Sequence, residues 1–147
     1  MQTAFIAGCG IPFLPSTAQA GEAAVYTGIV DGVGAGGYDL VAYHRENAPR
    51  RGDADIAADH KGVAYRFAST ENREAFVAAP QKYLPQFGGY CAWAVANGYT
   101  AKGDPEAWSL VGGKLYMNYS HAVRSKWQED AEANISAANA NWPKVLE

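Results

Sequence analysis

Trp108-Ser109-Leu110-Val111-Gly112-Gly113-Lys114-Leu115-Tyr116-Met117-Asn118-Tyr119 carries the strongest structural signal in the chain. Two runs of apolar, aromatic and polar residues flank a Gly-Gly pair, and a two-residue glycine loop predicts a tight antiparallel hairpin. That turn sets the register, with Val111 facing Lys114 and Leu110 facing Leu115. Side chains alternate across a strand. Trp108, Leu110, Leu115 and Met117 then share an apolar core face. Ser109, Lys114, Tyr116 and Asn118 share the other face, which is polar enough to border solvent or a site.

Downstream, Ser120 caps a helix in which Val123, Trp127, Ala131, Ile135, Ala138 and Trp142 recur every three or four residues. That period predicts one helix with one buried stripe, ended by Pro143. Upstream lies Phe87-Gly88-Gly89-Tyr90-Cys91-Ala92-Trp93-Ala94-Val95-Ala96-Asn97-Gly98. The glycine pair permits a tight turn and close approach of other groups. The alanine-rich run then predicts a short helix stopped at Asn97-Gly98, with Cys91 on its first turn.

Earlier still, Lys61 to Ala68 reads as a strand with Val63, Tyr65 and Phe67 on one face. Ser69 or Thr70 caps the following helix, which has Glu71 and Glu74 near its start and stops at Pro80. One further turn precedes Pro85. Residues 45 to 60 are charged and polar and read as a surface loop. Ala23 to Val30 reads as a strand. Gly32, Gly34 and Gly37 formally match G-x-G-x-x-G, but only a short apolar run follows and no second βαβ unit appears. A flexible glycine loop is the better reading. The expectation is a small α+β domain: a short antiparallel sheet, including the C-terminal hairpin, packed by three or four helices.

A length of 147 residues suits one domain with a real core. Net charge is −3 and only Arg50-Arg51 are adjacent basic residues, which gives no support to nucleic-acid or anionic-membrane binding. After the N-terminus, no stretch approaches the roughly 20 apolar residues of a membrane span. Residues 1–20 read as a signal peptide: an apolar run from Ala4 to Leu14, then Ala18-Gln19-Ala20 as a small-residue cleavage site before Gly21. The basic segment that usually precedes such a run is missing, and a truncated signal is the reading that accommodates this. The reading places the protein in the periplasm or outside the cell, with residues 21–147 as the mature domain. Lipoprotein anchoring at Cys9 is not expected, because the apolar run before it is very short.

Removal of residues 1–20 leaves Cys91 as the sole cysteine. A lone thiol in an oxidising compartment suggests a reactive group, a metal ligand or an intermolecular disulfide. A helix N-terminus favours thiolate. The alternatives are a buried small hydrophobe, or a Cys9–Cys91 disulfide if Cys9 is retained. His44 is a candidate ligand or general base beside Cys91, against a plain surface histidine. His60 and His121 read as solvated. Asp39 reads as a cap or anchor of the glycine loop, or else a functional carboxylate. Tyr43 and Tyr90 line a pocket or pack the core. Lys114, Tyr116 and Asn118 join the site if their hairpin face looks toward Cys91. No His-x-His, Cys-x-x-Cys or His-Glu-x-x-His pattern exists, so a closed zinc site is not expected.

Gly37-Tyr38-Asp39-Leu40-Val41-Ala42-Tyr43, Gly62 to Phe76, Pro80 to Ala92, Gly113 to Asn118, Trp127 and Asn141-Trp142-Pro143 together resemble the YHS domain family, in its small exported (seleno)protein branch. The resemblance covers roughly residues 25 to 143. It implies metal binding for the class and, where selenocysteine replaces the position matching Cys91 in some members, redox chemistry at that atom. This chain departs from the metal-handling relatives: the strand position is Ala68 and the following helix holds no cysteine, so a cysteine-rich soft-metal site is absent. The expected function is an exported single-thiol domain that binds a small molecule or a soft transition metal such as copper, or senses redox state through Cys91. Two alternatives stay open. One is a thiol-dependent oxidoreductase with Cys91 as nucleophile, and the other is a structural or interaction domain with a buried cysteine.

Overall fold

A computed structural model describes residues 21–147. The signal-peptide reading of residues 1–20, with Cys9, falls outside the described residues. The α+β class holds. Among the described residues the elements run α1 (Leu40–Glu46), β1 (Asp53–His60), β2 (Val63–Phe67), α2 (Thr70–Ala78), α3 (Pro80–Tyr83), α4 (Ala92–Ala96), β3 (Asp104–Val111), β4 (Lys114–Asn118), α5 (His121–Glu129) and α6 (Ala131–Asn141). Two separate antiparallel hairpins, β1–β2 and β3–β4, take the place of the single sheet expected, and the helices number six.

The β3–β4 register is the one the glycine loop predicts: Val111 pairs with Lys114, Leu110 with Leu115 and Trp108 with Met117. Gly112 and Gly113 have φ of 59° and 77°, the left-handed values a type I′ loop demands at both positions. Leu115 and Met117 enter one core cluster with Tyr38, Leu40, Val41, Tyr43, Tyr65, Phe67, Phe76 and Tyr83. The opposite face does not border solvent as expected. Tyr116 joins a second core cluster with Phe87, Tyr90, Val95 and Trp127, and Ser109 and Asn118 are buried. The hairpin is therefore sandwiched between two cores, because the α4–α6 helices cover its second face.

Three further expectations are corrected. Residues 23–30 form no strand; their backbone instead runs against the Phe87-Gly88-Gly89 turn, where Tyr26 N–H donates to Gly88 O at 2.9 Å. Gly88 has φ +62°, and a Cβ there would lie 1.9 Å from Ala24 O, so this close approach requires glycine. Residues 53–60 form β1 and not a loop. Its Asp53, Asp55 and Asp59 point outward, while Ile56, Ala58 and His60 are half-buried. The single C-terminal helix is two, broken at Asp130 (φ −148°, ψ 66°), whose side chain caps α6 by accepting from Ala133 N–H at 3.2 Å.

The two hairpins belong to two copies of one plan, a relationship absent from the expectations. Each copy runs left-handed turn, Gly-Gly-Tyr, cap residue, helix, hairpin, serine-capped helix, helix. Gly36-Gly37-Tyr38-Asp39 before α1 matches Gly88-Gly89-Tyr90-Cys91 before α4. Ala35 (φ 52°) matches Phe87 (φ 56°), both left-handed without being glycine. Both hairpins carry a register shift at the same place, between Asp53 and Ala57 and between Asp104 and Trp108. Ser69 Oγ accepts from Asn72 N–H and Ser120 Oγ from Val123 N–H. The break after α2 at Ala79 (φ −150°, ψ 66°) repeats at Asp130. Even the packing recurs: Tyr65 lies on Phe76 at 5.1 Å, and Tyr116 on Trp127 at 5.3 Å.

Candidate functional site

Cys91 is the N-cap of α4, in the position that Asp39 holds at α1. The backbone delivers both residues in the same way. Asp39 N–H donates to Arg50 O at 2.8 Å, and Cys91 N–H to Ala101 O at 2.9 Å. Asp39 is fully buried, and its carboxylate is satisfied four times. Oδ1 accepts from Val41 N–H (2.8 Å) and Ala42 N–H (3.2 Å); Oδ2 accepts from Ala68 N–H (2.8 Å) and the Asn72 amide (2.8 Å). It ties α1, the end of β2 and α2 together. That network gives the cap role expected of Asp39 a physical basis and leaves no free oxygen for chemistry.

The backbone N–H groups of Trp93, Ala94 and Tyr119 lie close enough to oppose the rise in the thiol's pKa, but none makes a capping hydrogen bond to the sulfur. These are the counterparts of Val41, Ala42 and Ala68. The thiol donates to Asn118 Oδ1 at 3.5 Å, and Trp93 N–H donates to the same oxygen at 3.0 Å. Cys91 is a free thiol only 1% exposed. Burial pushes its pKa up, opposed by the N–H groups of Ala94, Tyr119 and Trp93. The resting group is thus a neutral thiol that donates to Asn118 Oδ1 and lies near backbone N–H groups of α4 and Tyr119. Asn118 is wholly buried, and its Nδ2 has no partner among the described residues. Asn118 is the one candidate from the hairpin face that the fold brings to Cys91.

The remaining candidates lie elsewhere or are fully used. Lys114 is exposed at the hairpin turn, three residues along β4 from Met117, so about 10 Å of strand separates it from the level of Cys91. Tyr116 packs between Phe87 and Trp127, and burial raises its pKa. Tyr43 is fully buried, donates to Pro105 O at 2.7 Å and stacks on Trp108 at 5.3 Å; burial raises its pKa strongly. Tyr90 donates to Ala23 O at 2.6 Å, and burial first, then Glu22, pushes its pKa up to about 12. These three tyrosines pack the core.

His44 sits on α1, in the first copy, with its ring edge-on to Tyr83 at 5.3 Å. No hydrogen bond joins it to Cys91. Burial lowers its pKa, the Tyr83 backbone opposes that, and Lys82 adds to the lowering. His60 packs edge-on to Phe76 at 5.9 Å and so is not simply solvated, while His121 is exposed at the start of α5. Among the described residues no group of three or more His, Cys, Asp or Glu side chains is placed to hold a metal ion. The donor set at Cys91, one thiol among backbone amides and a carboxamide, does not fit a soft transition metal.

Sequence reading alone misses Tyr119 and the Trp93–Ala94 amides as the thiol's neighbours. The signal that reveals them is the internal repeat: Gly-Gly-Tyr, Gly-Asp, Tyr, Ser and Arg recur from Gly36, Gly52, Tyr65, Ser69 and Arg73 to Gly88, Gly103, Tyr116, Ser120 and Arg124. Comparison with family models, curated proteins and solved structures finds no match.

Proposed function

We propose that the chain is an exported member of the YHS domain family in which Cys91 is a sheltered, redox-responsive thiol. The observation that carries this reading is the contrast between Cys91 and Asp39. Two matched N-cap positions occur, and the first holds the residue that helix capping favours, with four hydrogen bonds to its carboxylate. The second holds cysteine, a poor cap, beside an amide nitrogen left without a partner. Local rules broken at one of two matched positions point to function. The resemblance to a family with selenocysteine at this position supports the same direction. Export to the periplasm or the cell exterior rests on Ala18-Gln19-Ala20. The soft-metal reading has no cluster of three or more His, Cys, Asp or Glu side chains to draw on among the described residues.

The chemistry is oxidation by a hydroperoxide. The thiol gives up its proton as its sulfur attacks the terminal peroxide oxygen; an S–O bond forms as the O–O bond breaks, and the leaving oxygen takes up a proton to depart as water or an alcohol. Sulfur loses two electrons and becomes a sulfenic acid; a second peroxide takes it to sulfinic acid. A sulfinate carries two oxygens and one negative charge, like the Asp39 carboxylate, and the Ala94 and Tyr119 N–H groups are the donors nearest to receive it. Peroxide exposure followed by peptide mass analysis tests the reading: oxidation at Cys91 is expected in the folded protein.

A second reading, a structural or interaction domain, is favoured by the 1% exposure and raised thiol pKa. The same measurement separates the two. A Cys91 oxidised only after unfolding supports the structural role.

A further inference from the structure

A second constellation lies farther along the same hairpin face, toward its glycine turn, where β3 meets α5. A cleft of about 360 Å³ is lined by Asn47, Trp108, Ser109, Arg124, Trp127 and Gln128, among others. Ser109 is buried at 6% exposure, and its Oγ accepts from Arg124 Nε (3.2 Å) and Gln128 Nε2 (3.3 Å). Both lone pairs are then occupied, which leaves its O–H to donate. The Arg124 guanidinium lies 5.9 Å over the Trp108 ring and forms no ion pair among the described residues, so its terminal N–H groups are available. Trp127 is fully buried, and its indole N–H has no acceptor among the described residues. The cleft lining thus includes a guanidinium, a hydroxyl free to donate and a residue with an unpartnered indole N–H.

The internal repeat supplies a control. In the first copy, Ser109, Trp127 and Gln128 correspond to Ala58, Phe76 and Val77, and only the arginine recurs, as Arg73. The same scaffold therefore packs without these polar groups. An unpaired buried N–H is destabilising, a cost that Phe76 avoids. We propose that this cleft binds a small oxyanion, a carboxylate or a phosphate, with Arg124 as the charged fork and Ser109, Gln128 and Trp127 as further donors. Planar arginine with adjacent neutral donors is the chemistry that recognises such oxygens.

The test is an NMR titration of the full chain, labelled with nitrogen-15, with sodium phosphate and separately with sodium acetate, each against sodium chloride at matched ionic strength. The reporters are the Trp127 indole N–H, identified by its loss in Trp127→Phe, and the Arg124 Nε–H. One or both anions are expected to give saturable shifts, and the one that saturates identifies the ligand class. Arg124→Gln is expected to weaken binding at least about tenfold, as is Ser109→Ala, which installs the residue of the first copy. The proposal is overturned if neither anion shifts these signals beyond chloride, or if both variants titrate like the wild type.

Discussion

Cys91 stands where Asp39 stands in the other half of the molecule: each is the buried N-cap of its helix, but Asp39 accepts four hydrogen bonds while the Cys91 thiol donates one to Asn118 Oδ1. The left-handed backbone before each cap is shared as well. Phe87 at φ 56° therefore belongs to the repeated scaffold and is not strain confined to the thiol.

Cys91→Asp should consequently fold. A carboxylate inserted into an ordinary buried site costs several kcal/mol, yet here it meets amides already arranged for it. Its unfolding free energy in guanidinium chloride is expected within about 2 kcal/mol of wild type and above that of Cys91→Ala.

Asp39→Ala removes the acceptor of four hydrogen bonds and strands Ala68 N–H and the Asn72 amide. Charge-assisted bonds of this kind contribute about 1.5–3 kcal/mol each before relaxation. A loss of roughly 3–5 kcal/mol in a chemical denaturation curve is expected, enough to unfold a marginal domain.

The pH dependence follows from two buried groups with opposite signs. Burial lowers the pKa of His44, so the unfolded chain binds more protons as pH falls past about 6.5 and stability declines toward acid. Replacing His44 with Phe should flatten that acid limb. Burial raises the pKa of Cys91, so its contribution is complete below the free-thiol value of about 8.5 and is lost as pH rises through the folded value. The difference in urea midpoint between wild type and Cys91→Ser should shift toward the variant between neutral and alkaline pH.

Local chemistry made much of the fold legible. Gly112-Gly113 dictates the β3–β4 register because both positions need left-handed φ, and Ser69 and Ser120 announce their helices. β1 is obscured because Asp53, Asp55 and Asp59 are poor strand formers that face solvent. The break at Asp130 is hidden because the apolar spacing from Trp127 to Ala131 continues across it. Cys91 itself stands out from its glycine turn and its solitude. Its neighbours do not, because Asn118 and Tyr119 reach it only once the hairpin docks on α4.

Hydrogen peroxide oxidation of the folded protein, followed by its denaturation midpoint, tests the central claim most directly. The account predicts oxidation confined to Cys91, progressing to the sulfinate, with the oxidised form at least as stable as the reduced one, since the Trp93, Ala94 and Tyr119 amides bind the new anion. A Cys91 that stays reduced while native, or a sulfinate that unfolds the domain, would contradict it.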